Sequence, residues 1–142
     1  MSEQKLRIGH TGITWLNDDD YEDAIRTIAA EGFGGIELFG WVLPKIKAQG
    51  KLGLFEECGL PLWSAYFSHD IINPDKRQEQ FNKIKEQGSI LLSQGGTHVA
   101  FGGDIVDRRK VKYLEHRDYI VDFVNECGKM MQDMGLTLCY HP

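Results

Sequence analysis

The chain has 142 residues, of which 42% are hydrophobic, and its formal net charge at pH 7 is -5. This length suits a single domain over residues 1–142. The sequence lacks the ~18-residue apolar window that a membrane-spanning helix needs. The acidic balance argues against a surface that binds duplex nucleic acid. The short basic run DRRKVK at 107–112 is interpreted as a solvated loop.

The amino terminus and the cysteines indicate the compartment. MSEQKLRIG has no apolar run of the kind that a signal peptide requires. The three cysteines are far apart and odd in number, so they suggest neither a disulfide framework nor a metal-binding motif. We therefore expect a cytoplasmic protein with no nucleic-acid partner and no membrane partner.

One pattern recurs along the chain: an amphipathic segment runs into a glycine, and a short apolar strand follows. YEDAIRTIAAEGFGGIELFG, from Tyr21, shows it first. Ile25 and Ile28 fall on one helical face, and the acids at 18–20 suit the start of a helix. Gly32 suits a left-handed cap at the helix end.

The later copies have the same form and predict further strands. KLGLFEECGLPLWSAYF, FNKIKEQGSILLSQGGTHVAF and RDYIVDFVNECGKMMQDMGLTLCYH each pass from a helical pattern through glycine to an apolar run. The predicted strands lie in KLRIGHTG and at 35–39, 62–67, 97–101 and 136–140. Five strands that alternate with four helical connections predict an α/β fold with a parallel sheet and right-handed crossovers.

Two architectures fit this alternation. One is the first five β/α units of a TIM (β/α)8 barrel, which is then incomplete, and the other is an open five-stranded parallel sheet. The length favours the open sheet, because a whole barrel takes ~250 residues. The polar residues at the strand ends favour the barrel.

Those polar residues are the candidate functional site, because parallel α/β folds bind ligands at the carboxyl ends of their strands. The candidates are His10, Glu37, His69, Asp70 and His141. Imidazoles and carboxylates at one mouth suit a divalent metal, proton transfer or a polyol substrate. Ordinary polar residues near loops are the competing explanation.

Glu37 and the tryptophans need separate interpretation. Glu37 lies among apolar neighbours in GGIELFG, so it is either a buried ion-pair partner or a contact to the substrate. Trp15 and Trp41 each follow a strand end and are candidates for lining the mouth, whereas Trp63 suits the core.

The motifs IGHTGITW, EGFGGIELFG and GLTLCYHP together resemble the sugar phosphate isomerase/epimerase family of xylose isomerase-like TIM barrels. Relatives in this family include hydroxypyruvate isomerase, tagatose-type 3-epimerases, inosose dehydratase and endonuclease IV. The resemblance runs in order from the first strand to the fifth. It implies a barrel of eight strands in a chain of nearly twice this length, so we expect these residues to form the first five units.

The resemblance also implies site residues. In many relatives the fifth strand ends in Glu-Pro, and that glutamate is the first of four ligands to a divalent metal (Mn, Co, Mg or Zn). Here His141 stands at that position, followed by Pro142, while the other three ligands would lie on later strands. Glu37 matches the glutamate of the second strand, and His69 and Asp70 lie where relatives contact substrate. We assign Glu37 and His141 as catalytic, His141 as metal ligand, and His10, Trp15, His69 and Asp70 as substrate-binding.

The resemblance implies proton abstraction next to a carbonyl in a sugar, keto-sugar or inositol derivative, by an isomerase, epimerase or dehydratase. The chain itself lacks most of the expected ligands, so it is expected to be incomplete for catalysis. The alternative is a non-catalytic half-barrel that forms a homodimer or binds another partner, since its edge strands would otherwise be unpaired. DNA repair of the endonuclease IV type is disfavoured by the net charge.

Overall fold

A computed structural model describes residues 6–15, 19–104 and 111–142. Asp18 and most of the basic run at 107–112 lie outside these residues. Within them the strands are β1 His10–Thr11, β2 Ile36–Phe39, β3 Leu62–His69, β4 His98–Gly103 and β5 Thr137–Tyr140. The α-helices are α1 Tyr21–Ala30, α2 Val42–Ala48, α3 Leu54–Glu57, α4 Arg77–Ser93 and α5 Tyr113–Met134, with 3-10 turns at Gly12–Thr14 and Pro74–Lys76.

The strands form one open sheet in the order β1-β2-β3-β4-β5, and each neighbouring pair is parallel. This confirms the predicted α/β fold. β3 and β4 run two residues beyond their predicted ends, because their pairing continues to His69 and Gly103. β1 is shorter than predicted, since only His10 and Thr11 pair with β2.

Glycines close the ends of α1 and α5, as the sequence predicted, whereas Asp20 at the start of α1 makes no side-chain capping hydrogen bond. Ile25 and Ile28 of α1 are buried against the sheet. Gly32 follows α1 with a φ of 81° and Gly135 ends α5 with a φ of 89°. A left-handed conformation closes the helix end and costs glycine little. α5 has the helical pattern predicted for RDYIVDFVNECGKMMQDMG, and it buries Ile120, Phe123, Cys127 and Met131.

The sheet has two unlike faces. The helix-facing side carries the core, in which Phe67, Val99 and Phe101 are fully buried. Side chains alternate along a strand, so their neighbours project from the opposite side, which we call the inner face. It carries Glu37, Phe39, Ser64, Tyr66, Ser68, His98, Ala100, Cys139 and His141. These side chains are half-buried or exposed.

Trp63 forms the floor of the inner face at the amino ends of the strands. Ile36 pairs with Leu62 and Glu37 pairs with Ser64, so Trp63 is the extra residue of a β-bulge. Its ring lies so close to Gly35 that a methyl group there would overlap it. This bulge sets the register of the strand that carries Ser64 and Tyr66.

No helix in the described residues is long and apolar enough to cross a membrane.

The contact between Gly35 and Trp63 predicts a large effect of Gly35→Ala. The added methyl group must displace the indole, and overpacking of this kind costs about 1–3 kcal/mol. Gly53→Ala is the matched control, because nothing lies within 4 Å of its Cβ position, and its effect should stay within about 0.5 kcal/mol. Urea unfolding of both variants measures the difference. Equal unfolding midpoints would show that the ring does not pack on this backbone.

Candidate functional site

Parallel pairing brings the carboxyl ends of all five strands to one edge of the sheet. β2 ends at Phe39, two residues beyond the pair formed by Glu37 and Ser64, whereas β3 continues to His69. Such a stagger is expected where strands tilt relative to a barrel axis. Glu37 therefore lies near the mouth because its own strand is short, as the sequence predicted.

Four rings line the mouth on the inner face, and we call them the aromatic arc: Trp41, Phe39, Tyr66 and His141. Phe39 stacks on Trp41, with ring centroids 4.3 Å apart. Tyr66 contacts Phe39 edge-on at 6.2 Å and His141 edge-on at 6.0 Å. The arc thus runs from the end of β2 across β3 to the tip of β5.

The backbone fixes His141 and makes room for Tyr66 in this arc. The amide of His141 donates to the carbonyl of Phe101 at 2.8 Å, so the residue continues the pairing of β5 with β4. Gly102 leaves room for the Tyr66 hydroxyl, which lies where its Cβ would be. The imidazole of His141 is therefore presented from an ordered strand end, and its residue is exposed to solvent.

Glu37 lies on the inner face beneath Phe39 and is half-buried. The Ser64 hydroxyl donates to Glu37 Oε2 at 2.7 Å. This hydrogen bond holds one carboxylate oxygen, while no ion pair to Glu37 occurs among the described residues. The sequence left two interpretations of Glu37 open, and the described residues do not support the one in which it is a buried ion-pair partner.

His10 and Trp15 come together, but on the α1 side of the sheet. The His10 ring lies edge-on to Trp15 at 6.1 Å and to Phe33 at 4.9 Å. Trp15 Nε1 donates to Asp23 of α1 at 2.8 Å. His10 pairs with Ile36, whose side chain faces the helices. Neither predicted substrate contact joins the aromatic arc.

His69 lies on the helix-facing side, where its side chain is only 3% exposed. Because side chains alternate, Ser68 takes the inner face and His69 points the other way. Its ring nitrogens lie 3.0 Å from Gln80 Oε1 and 3.0 Å from Gln87 Oε1, both on α4. The structure therefore separates His69 from the inner face, contrary to the expectation of a shared mouth.

Asp70 organises the loop after β3. Its Oδ1 accepts hydrogen bonds from the amides of Ile72 and Asn73 at 3.3 Å and 3.2 Å, and its Oδ2 lies 3.3 Å from Lys76 Nζ. A side chain that closes its own turn is typical of aspartate. These contacts give Asp70 a structural role at the rim, and its predicted contact to substrate stays a prediction.

The described residues group few donors for a metal ion. Among residues 6–15, 19–104 and 111–142, no three side chains of His, Cys, Asp or Glu are grouped so that they could hold a metal ion. His141 stands alone at the tip of β5. The four-ligand centre that the resemblance implies is therefore not supplied by the described residues.

The cysteines offer no alternative chemistry. Cys127 is buried under α5, and burial raises the pKa of its thiol to about 12, so it stays protonated at neutral pH. Cys58 and Cys139 are likewise free thiols.

Comparisons with known proteins agree with this architecture. No family model matches the chain. An inosose dehydratase of Geobacillus thermodenitrificans is 27% identical over 98% of the chain and 52% of its own length. The chain thus spans about half the length of the curated relatives it matches.

Solved structures show the fold. A D-allulose 3-epimerase from Methylomonas sp. has a TM-score of 0.75 and 19% identity, over 96% of this chain and 51% of that one. A xylose isomerase-like TIM barrel protein from Mycobacterium smegmatis, solved in complex with magnesium, has a TM-score of 0.73 and 13% identity, over 94% and 54%.

The sheet and its open mouth therefore define the class: an α/β fold that matches part of a TIM barrel. The chain is similar in sequence to inosose dehydratases and in fold to xylose isomerase-like TIM barrels, and the resemblance seen in its motifs is confirmed. The open five-stranded sheet is also present, as a portion of that barrel.

The hydrogen bond between Ser64 and Glu37 yields a second prediction. Ser64→Ala should lower stability by about 1 kcal/mol, because it removes a donor from a half-buried carboxylate. Glu37→Gln keeps an acceptor for the hydroxyl and removes a half-buried charge, so it should leave stability unchanged or raise it. Urea unfolding measures both. A larger loss from Glu37→Gln than from Ser64→Ala would assign Glu37 to structure.

Proposed function

We propose that this chain forms part of an active site that removes a proton next to a carbonyl in a keto-sugar or inositol derivative. The observation that carries the proposal is the imidazole of His141, which forms the last ring of the aromatic arc. Glu37 lies on the same inner face, beneath Phe39 at the other end of the arc. Ligand pockets are commonly lined by aromatic rings with a few placed polar groups. The arc has that composition.

The names of the related proteins support the reaction class. One relative is an inosose dehydratase, and one structural neighbour is a D-allulose 3-epimerase. Loss of water beside a ketone and inversion of a carbon beside a ketone can both begin with removal of the proton next to that ketone. A single proton-transfer site therefore serves either outcome, and the identity of the substrate then depends on the groups around it.

Roles follow from position and chemistry. Histidine is the side chain that most often moves protons at neutral pH, and His141 is exposed at the tip of β5. The rings of Phe39, Trp41 and Tyr66 offer faces to the C–H surface of a sugar. The free oxygen of Glu37 can accept hydrogen bonds from substrate hydroxyl groups.

The resemblance also implies a divalent metal, and the Mycobacterium neighbour was solved with magnesium. Of the implied ligand positions, the described residues fill only that of His141, so they do not fit a complete centre. We keep His141 as the candidate ligand. The proton transfer itself is assigned to the side chains of this chain.

A specific observation favours a second candidate, a non-catalytic half-barrel that associates with another copy or a partner. Large apolar side chains are exposed along the two edges of the sheet among the described residues. They are Leu6, Ile8 and Ile13 beside β1, and Tyr113, Leu114, Val121 and Tyr140 at α5 and β5. Unpaired apolar edges favour association. On this account His141 has no chemical role.

Hydrogen exchange on the substrate tests the first function. The purified protein, in the assembly that it forms in solution, is incubated in D2O with an inosose or a keto-sugar and Mg²⁺ or Mn²⁺. We expect loss of the NMR signal of the proton next to the carbonyl, and His141→Ala should slow that exchange by about 100-fold or more.

His98→Ala is the matched control, because His98 begins β4 at the edge of the sheet opposite the mouth, and its exchange rate should equal that of the unchanged protein. No exchange above the buffer rate with any of these substrates would overturn the proposal. A stable dimer without exchange would then support the second candidate.

A further inference from the structure

Three polar residues are buried in the described part of the chain. They are His69, Gln80 and Gln87, which are 3%, 6% and 6% exposed. All three meet at one place, between the carboxyl end of β3 and helix α4. Burying a polar group costs free energy unless it is hydrogen-bonded, and apolar residues fill the rest of this core. The concentration of polar groups at one point therefore needs a reason.

The three side chains satisfy one another, and we call them the His69 cluster. The ring nitrogens of His69 each face a glutamine amide at 3.0 Å. The ring also stacks on Phe101, with centroids 6.1 Å apart and planes 13° from parallel. The atom nearest the ring is the amide oxygen in both glutamines. An imidazole that donates one hydrogen bond and accepts one pairs with the oxygen of one glutamine and, once the other amide is turned about its own axis, with the NH2 group of that second glutamine. Both ring nitrogens and the ring plane are thereby fixed.

On one side the cluster supports the turn after β2. A methyl group at Gly40 would lie 2.7 Å from Gln87 Oε1 and would overlap the ring of Phe67. The Gly40 amide donates to the carbonyl of Tyr66 at 2.7 Å. The turn therefore rests directly on Gln87, and the next residue is Trp41, the first ring of the aromatic arc.

On the other side the cluster meets the ends of β3 and β4. The carbonyl of His69 accepts from the amide of Asp104 at 2.9 Å. The next residue, Asp70, closes its own loop through Ile72 and Asn73. One buried cluster thus joins α4 to the segments that follow β2, β3 and β4, and all three segments lie at the rim of the candidate site.

We propose that His69, Gln80 and Gln87 act as positioning residues, which set the place of Trp41 and of the Asp70 loop without touching substrate. Apolar packing is tolerant of small sliding movements, whereas a hydrogen bond loses strength steeply with angle and distance. Directional bonds from α4 to the end of β3 therefore fix the rim more tightly than packing alone. The inference rests on the proposed function only in that the rim is taken to border the active site. The placement of Trp41 is testable without substrate.

The test observes Trp41 directly. The chain contains three tryptophans, so protein labelled with fluorotryptophan gives separable 19F resonances, and Trp41→Phe identifies the one from Trp41. Gln87→Leu keeps side-chain bulk but removes the polar partner of His69. We expect it to move or broaden the Trp41 resonance by more than its line width and to leave the Trp15 resonance in place.

Gln87→Glu is the conservative partner of that variant, because it keeps an oxygen acceptor at the same position. It should return the Trp41 resonance to its original shift. Ile25→Ala, in the core under α1, is the control for a general loss of stability, and it should leave Trp41 unmoved at temperatures where the protein stays folded.

Two results would overturn the proposal. One is a Trp41 resonance that stays in place in both Gln87→Leu and His69→Leu. The other is a shift of Trp41 that Ile25→Ala reproduces, which would mean that the cluster only contributes stability. Neither result depends on catalysis, so failure of the proposed function and failure of this inference are distinguishable.

Discussion

The parallel pairing of consecutive strands is the constraint on which the rest of the structure depends. It places every carboxyl end at one edge, and it requires a crossover after each strand, which the helices supply. The helices cover one side of the sheet, so the other side becomes an inner face whose chemistry is set by every second residue. Glu37 and the aromatic arc share this face because their residues along β2, β3 and β5 alternate with residues that face the helices.

The same alternation explains why two histidines at strand ends have different roles. His141 follows β5 on the inner face and meets Tyr66, whereas His69 ends β3 on the helix-facing side and meets two glutamines. A shift of one residue in either strand would exchange the two faces. Residue type and strand-end position together were therefore not enough to assign a histidine to the mouth.

Much of the fold was predictable because its signals are local. The glycines that follow α1 and α5 act within a few residues and were located correctly, whereas α2, at Val42–Ala48, was not predicted. The places of Glu37 and His141 near the mouth also followed from their strand ends. The bulge at Trp63, the facing of His69 and the contact between Tyr66 and His141 depend on pairing between distant strands. Because side chains alternate along a strand, Phe39 could have been assigned to the inner face from its spacing of two residues to Glu37. The same counting fails in β3, because the bulge adds one residue, Trp63, to that strand.

The composition of the mouth bears on the kind of substrate that suits it. Glu37, Phe39, Trp41, Tyr66 and His141 include one carboxylate and no lysine or arginine. A phosphate group is usually bound by cationic side chains or by a helix amino terminus, and a carboxylate such as Glu37 repels it. Hydroxyl groups, in contrast, donate readily to the free oxygen of Glu37, and a sugar ring presents C–H groups to aromatic faces. These five side chains therefore offer a phosphate group no cationic partner, while they offer hydroxyl groups one carboxylate oxygen and several ring faces.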